Sequence, residues 1–315
     1  MITRARAYDL TLIALISVCW GFNWPAVKLI LSEIPPWTLR TIGFAFVGAV
    51  LLAYARLRGE ALAVPRGERL PLVGVALLNI AGFNVCSAFG QMNMATSGAA
   101  LIAYTMPAWA MLLAIPLLGE RPGPVQWLGL SCGLGGLAVL LGPDLMRIGA
   151  LPLGPAFMLG AALCWALGSV LLKRTAWTMA PATATGWQFA ISLPVVLPFA
   201  VQLEPAPSVM PEPRVLAALG FHLLFAMTGG YLLWFSIVRR LSVTQASVGS
   251  LIVPVVGVIG AIVVLGEVPP LRTYLALALI LFAVLLVVMG PVFRSATSLD
   301  VYCATKRTVE GRDGI

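Results

Sequence analysis

Trp20, Asn23, Trp24 and Val27 fall three or four residues apart, so a helix would carry them on one face. Pro25 sits among them and has no N–H, which leaves the Gly21 carbonyl without its usual helical partner. Indole rings, a carboxamide and a freed carbonyl can hold and orient a solute. Other candidate groups are of the same kind. Asn79, Phe83 and Cys86 are expected on one helix face, and Asn84, Ser87 and Gln91 on another. Tyr104, Met106, Pro107 and Trp109 cluster in one run, and Ser250 and Pro254 in another. Pro107 frees the Ala103 carbonyl, and Pro254 frees that of Ser250. Tyr231 and Trp234 lie three apart, just after Thr228-Gly229-Gly230. Carboxamides in lipid are costly, so Asn79 and Asn84 must face protein or water. There they either bind polar groups of a solute or tie helices together.

Bond-making chemistry finds little material. All twelve acids sit at helix ends, in loops or in the tail. His222 is the only histidine, and it is expected near the outer end of its helix as a wetted interfacial residue. The five cysteines lack close-paired spacing and read as free thiols. No metal site follows from one histidine and scattered thiols, and no cofactor is implied. An intramembrane enzyme would need a nucleophile with its base, or a metal cluster, at membrane depth. Arg40 is the one cation placed within a helix, near its outer end, where it could meet a solute carboxylate or Glu33. Lys28 and Lys173 are expected to snorkel to the headgroups. Glu120 and Glu267, each after a glycine, read best as turn residues bonding backbone amides, with a paired gating role as the alternative.

The elements that must position these groups are apolar helices. The chain has 315 residues, 60% hydrophobic and 10% charged, with mean hydropathy +0.97. Soluble domains average roughly 25% charged residues. The fold class is therefore all-α integral membrane, and the net charge of +8 belongs to loops and tail, with no nucleic-acid partner implied. A span needs about 20 apolar residues. Ten runs qualify: 9–31, 37–56, 70–92, 97–118, 124–142, 154–173, 181–203, 215–238, 244–265 and 271–292. The first follows Arg4 and Arg6 like a signal peptide, but its length and its Trp-Asn-Trp-Pro mark it as a retained helix. Residues 1–8 form a short cytoplasmic N-terminus, and 293–315 a polar, disordered cytoplasmic tail. With both termini inside, fifteen of the twenty cations fall on the cytoplasmic side. Trp37, Trp127 and Trp177 fall near helix ends and read as interfacial anchors.

The chain is also written twice. Cys19-Trp20, seven residues, then Lys28 returns as Cys164-Trp165, seven residues, then Lys173, at an offset of 145. Pro36 matches Pro181 and Phe44 matches Phe189 at the same offset. Pro107 matches Pro254, and Gly119-Glu120 matches Gly266-Glu267, at 147. Each half, 9–142 and 154–292, carries five helices. Five is odd, so the halves form an inverted repeat, an architecture associated with alternating access around a site between them.

Five plus five helices, Trp20 and Trp165, Pro107 and Pro254, and the two Gly-Glu pairs together resemble the drug/metabolite transporter superfamily in its EamA-like branch. The resemblance covers residues 9 to about 292. It implies a bacterial inner-membrane carrier, one of many that export amino acids and other small metabolites. It also implies a cavity among helices 1, 3, 4, 6, 8 and 9. Substrate-binding residues are then expected at Trp20, Asn23, Phe83, Asn84 and Tyr104 from the first half. Met106 completes that half, and Trp165, Tyr231 and Trp234 come from the second. Pro25, Pro107 and Pro254 are the expected hinges. Small multidrug resistance proteins, related by the same resemblance, use a membrane-embedded glutamate, and none is present here. Proton coupling, exchange and facilitated diffusion therefore stay open. The substrate expected is small, and neutral or zwitterionic. Lipids surround the protein, and a lipid flippase or a non-transporting scaffold are the alternative readings.

Overall fold

The computed structural model describes residues 4–93, 99, 102–145, 153–205, 210–265, 268, 271, 274–279 and 281–282. Nine helices are traced among them. They are α1 (Arg4–Ile30), α2 (Pro36–Leu57), α3 (Arg66–Met92), α4 (Met106–Leu118) and α5 (Pro124–Leu145). The second half gives α6 (Leu153–Arg174), α7 (Pro181–Leu203), α8 (Pro213–Arg240) and α9, in two segments, Val243–Gly249 and Ile252–Leu265. Seven of these stretches are long and apolar enough to cross a membrane. The tenth expected helix, the tail and Glu267 lie wholly or largely outside the described residues.

Proline and glycine set the boundaries. Pro36, Pro181 and Pro213 open their helices after residues in extended conformation, where the missing N–H costs nothing. Gly119 closes α4 with φ 68°, the left-handed turn that a side chain would strain.

The two halves pack by exchange. α1 lies on α9, and its counterpart α6 lies on α4; α8 lies on α1 as α3 lies on α6; and α2 meets its own counterpart α7. Two copies related by a two-fold axis pack in this way. At the α2–α7 contact the matched Phe44 and Phe189 stand edge to face, centroids 5.4 Å apart. Gly48 and Gly186 bring the backbones together: a Cβ at Gly48 would lie 3.3 Å from the Ala190 nitrogen.

Carboxylates then tie one half to the other. The first N–H groups of a helix lack intrahelical partners, and a helix start inside a bundle must find them elsewhere. Glu204 accepts from the Trp37 amide at 2.7 Å, the Thr38 amide at 2.6 Å and the Thr38 hydroxyl at 2.8 Å. The Thr183 hydroxyl, at the matching position of α7, donates to Glu60 at 3.2 Å. Glu120 receives the Val243 amide at 2.7 Å and the Thr244 hydroxyl at 2.7 Å. Glu68 receives the Thr178 amide at 2.8 Å. Glu120 thus does bond backbone amides, but those of a helix start 123 residues away rather than of its own turn. Glu204→Ala is expected to lower stability by about 2 kcal/mol. Thermal unfolding in detergent, followed by circular dichroism, checks this, and an unchanged midpoint would discount the tie.

Two tryptophans depart from the expected anchoring role. Trp37 is 1% exposed and stacks on Phe199 with centroids 4.5 Å apart. Trp177 is 5% exposed and donates from Nε1 to the Leu172 carbonyl at 2.8 Å. Trp37 packs against Phe199 of the other half and Trp177 against Phe235 of its own, 5.9 Å away, so both rings fill protein instead of meeting headgroups. Trp127 stays exposed.

Candidate functional site

The site is built where the helices stop being regular. α3 widens to a π-helix over Ala76–Gly82, and α8 does the same over His222–Gly229. Ala76 and Leu223, and Gly82 and Gly229, correspond at the 147-residue offset, so the two irregularities are repeat mates. A π-turn leaves carbonyls poorly paired, and such turns concentrate at functional positions. Side chains from other helices supply the missing donors. Trp20 Nε1 donates to the Ala226 carbonyl at 3.1 Å, and the Ser192 hydroxyl to that of Ala76 at 3.0 Å. Within α8, the Thr228 hydroxyl donates to the Leu223 carbonyl at 2.7 Å.

The wider turn also changes which residues share a face. One inserted residue rotates the remainder of the helix by about 100°. Asn79 lies inside the π-turn and Phe83 just after it, so the two, expected on one face, part company: Phe83 lines the cavity with Asn84, Ser87 and Gln91, all in the regular helix that follows. Asn79 is 2% exposed and pressed against Gly168 of α6. Cys86 faces Gly160 of the same helix.

α4 and α9 are interrupted where prolines were expected to loosen them. The α4 run breaks at Tyr104–Thr105, just ahead of Pro107, and α9 breaks at Ser250–Leu251, ahead of Pro254. Hydroxyls bond carbonyls one turn back, Thr105 to Ile102 at 2.6 Å and Ser250 to Ser247 at 2.6 Å, and the Ser250 carbonyl, expected to be freed by Pro254, receives the Val253 amide at 3.0 Å. Trp109 Nε1 donates to the Thr105 hydroxyl at 3.1 Å. α1 behaves differently. It stays helical through Pro25, whose ring packs where a Cβ on Gly260 would stand, 3.3 Å away.

Between the halves these elements enclose a cavity of about 220 Å³. Eight of the nine expected residues line it: Trp20, Asn23, Phe83, Asn84, Tyr104, Met106, Trp165 and Tyr231. The rings of Trp20, Phe83, Trp165 and Tyr231 form one connected group. Trp20 stands 5.5 Å from Trp165 and 5.8 Å from Tyr231, and Phe83 stands 5.2 Å from Trp165. Trp24, which faces Tyr104 at 5.9 Å, joins the lining beside Val27. Trp234 is the exception. It backs Trp20 and Trp165 at 5.7 and 5.4 Å, is 3% exposed, and borders only a smaller adjoining pocket with Pro107 and Ser250.

The polar part of the lining was harder to foresee. His222 is buried, 7% exposed, and its Nδ1 lies 2.7 Å from Asn23 Oδ1. It is not the wetted interfacial residue its position suggested, because α8 is longer at that end and roofed by α1 and α2. Arg40 enters the same cavity from α2, a helix outside the set that the resemblance implied. Among the described lining residues Arg40 alone carries a formal charge, and no carboxylate joins it. Ser87 and Gln91, expected on one helix face with Asn84, line the cavity beside it; Met158 and Met227 gave no signal. Among the described residues no three His, Cys, Asp or Glu side chains converge on a common point.

A helical bundle of two exchanged halves around an aromatic, amide-bearing cavity is the design of a multi-pass membrane transporter. Comparison with known proteins agrees. The model of the EamA-like transporter family matches residues 8–142 and again 152–289. The chain belongs to that family, within the drug/metabolite transporter superfamily. It is 26% identical over 278 residues to the uncharacterized inner membrane transporter YedA of Escherichia coli K12, covering 87% of this chain and 88% of the relative. It is 24% identical over 242 residues to the uncharacterized transporter YoaV of Bacillus subtilis, covering 76% and 82%. A solved crystal structure superposes with a TM-score of 0.78 at 22% identity, over 89% of this chain and 96% of the other, which shows a shared fold.

Proposed function

We propose that the protein is a secondary carrier that exports small neutral or zwitterionic metabolites, amino acids foremost, across a bacterial inner membrane. One observation carries the reading: both halves contribute to a single central cavity, and that cavity is bordered by the matched breaks of α4 and α9. Rocking one half against the other at those breaks would present the cavity alternately to each side. The cation bias supports both termini in the cytoplasm. Aromatic faces receive apolar or ammonium groups, and the amides orient polar ones. A volume of about 220 Å³ lies below the roughly 300–1,000 Å³ of pockets for drug-sized ligands, which favours a small metabolite over a lipid.

Counterflow of radiolabelled amino acids in proteoliposomes tests the reading. Saturable uptake is expected when unlabelled solute is preloaded. It should fall about tenfold or more in Trp24→Ala, because Trp24 lines the cavity while 37% exposed and its loss leaves the core packed. Uptake no greater than in empty liposomes, across the full amino-acid panel, would remove the leading substrate class.

A further inference from the structure

Arg40 brings a positive charge to the cavity lining, and among the described residues no carboxylate pairs with it directly; Glu204 attracts it from beyond ion-pair distance. Its Nη1 donates to the Pro36 carbonyl of its own helix at 3.0 Å, and its guanidinium lies 5.7 Å from the Trp37 ring centroid. Its Nε is buried and has no hydrogen-bond partner. The acids that could have met it are engaged elsewhere. Glu204 spends both oxygens on Trp37 and Thr38, and Glu33, one of the two partners expected for Arg40, receives the Glu212 amide at 2.8 Å. Among the described residues no carboxylate stands within ion-pair distance of Arg40. His222 and Asn23, which border the same part of the cavity, are taken up with each other. Arg40 is half-buried, and a cation so placed without a paired carboxylate is unfavourable unless something else compensates it.

We propose that the compensating group is the carboxylate of the transported solute. A guanidinium is a planar fork that grips a carboxylate with two charge-assisted bonds. The remainder of the solute then lies against Trp20, Phe83 and Trp165. The cavity accordingly selects small organic acids and amino acids with an apolar or aromatic remainder, and discriminates against their amides and amines. The proposal rests on the carrier reading above: of its neutral and zwitterionic solutes it retains the amino acids, and it adds small organic acids.

The test uses an isosteric pair. 3-Phenylpropionate and 3-phenylpropanamide are titrated into the purified full-length protein at neutral pH, read by quenching of tryptophan fluorescence. The acid should bind at least about tenfold more tightly than the amide. In Arg40→Gln that preference should fall to within about twofold, with part of it kept in Arg40→Lys. Equal binding of acid and amide by the wild-type protein overturns the proposal without any variant. So does a full preference surviving in a folded Arg40→Gln protein, with folding checked by melting temperature. Counterflow separates this from the carrier reading. Exchange of solutes without acid preference leaves the carrier and removes the anchor. Acid preference without exchange across liposomes leaves the anchor and removes the carrier.

Discussion

Trp20→Ala should abolish transport and cost about 3–5 kcal/mol of stability, the range for emptying a large aromatic site in a packed interior. Trp20 is the hub of the cavity. Its ring touches Trp165, Tyr231 and Trp234 at centroid separations of 5.5, 5.8 and 5.7 Å. Its Nε1 also supplies the donor for the Ala226 carbonyl inside the π-turn of α8. Removing the ring leaves a void between the halves and an orphaned buried carbonyl in one step. Trp20→Phe separates the two effects: the ring contacts persist, the hydrogen bond goes, and the expected loss is about 1 kcal/mol. Thermal unfolding measures both variants, and proteoliposome counterflow measures function. A Trp20→Ala protein as stable as its parent would mean that the π-turn needs no donor from α1.

Gly168→Ala should be comparably severe for the opposite reason. A Cβ at that position would overlap Asn79 Oδ1, and would stand 2.6 Å from Asn79 Cγ and 2.9 Å from the Asn79 backbone nitrogen. Turning the Asn79 side chain away does not relieve the last contact. α3 would have to move off α6 at its π-turn, carrying Phe83 and Asn84 out of the cavity wall. Overpacking of this kind costs about 3 kcal/mol. Asn79→Ala in the same protein should restore only part of the loss, because the backbone clash remains, and a double-mutant cycle on unfolding midpoints reads that fraction. Full rescue would show that only the side chain mattered.

These two residues mark the line between what could and could not be read in advance. Trp20 was visible because its pattern recurs: Cys-Trp with a lysine nine positions after the cysteine appears twice at a fixed offset, and chance seldom repeats that inside apolar runs. The prolines ahead of which α4 and α9 break were visible likewise. Gly168 looked like any membrane-helix glycine, since its role depends on which residue of α3 faces it. Asn79 and Phe83 were placed by a 3.6-residue period, and the π-turn over Ala76–Gly82 broke that period. A π-turn is stabilised by donors that are distant in sequence, here Ser192 and Trp20, so local pattern cannot announce it.

The sequence alone determined the membrane class, the doubled organisation and the aromatic, amide-rich character of the cavity. Each depends on composition or recurrence, which survive without knowledge of contacts. Only the tertiary structure decided the charge and polarity of the site. Arg40 and His222 lie near helix ends in the linear order, where exposure to headgroups is the natural expectation. They face the cavity because α2 packs on α8, and α8 on α1, so that an element of the opposite half covers each. Which way a helix-end side chain points is fixed by the neighbour that covers it, and in this chain that neighbour lies more than a hundred residues away.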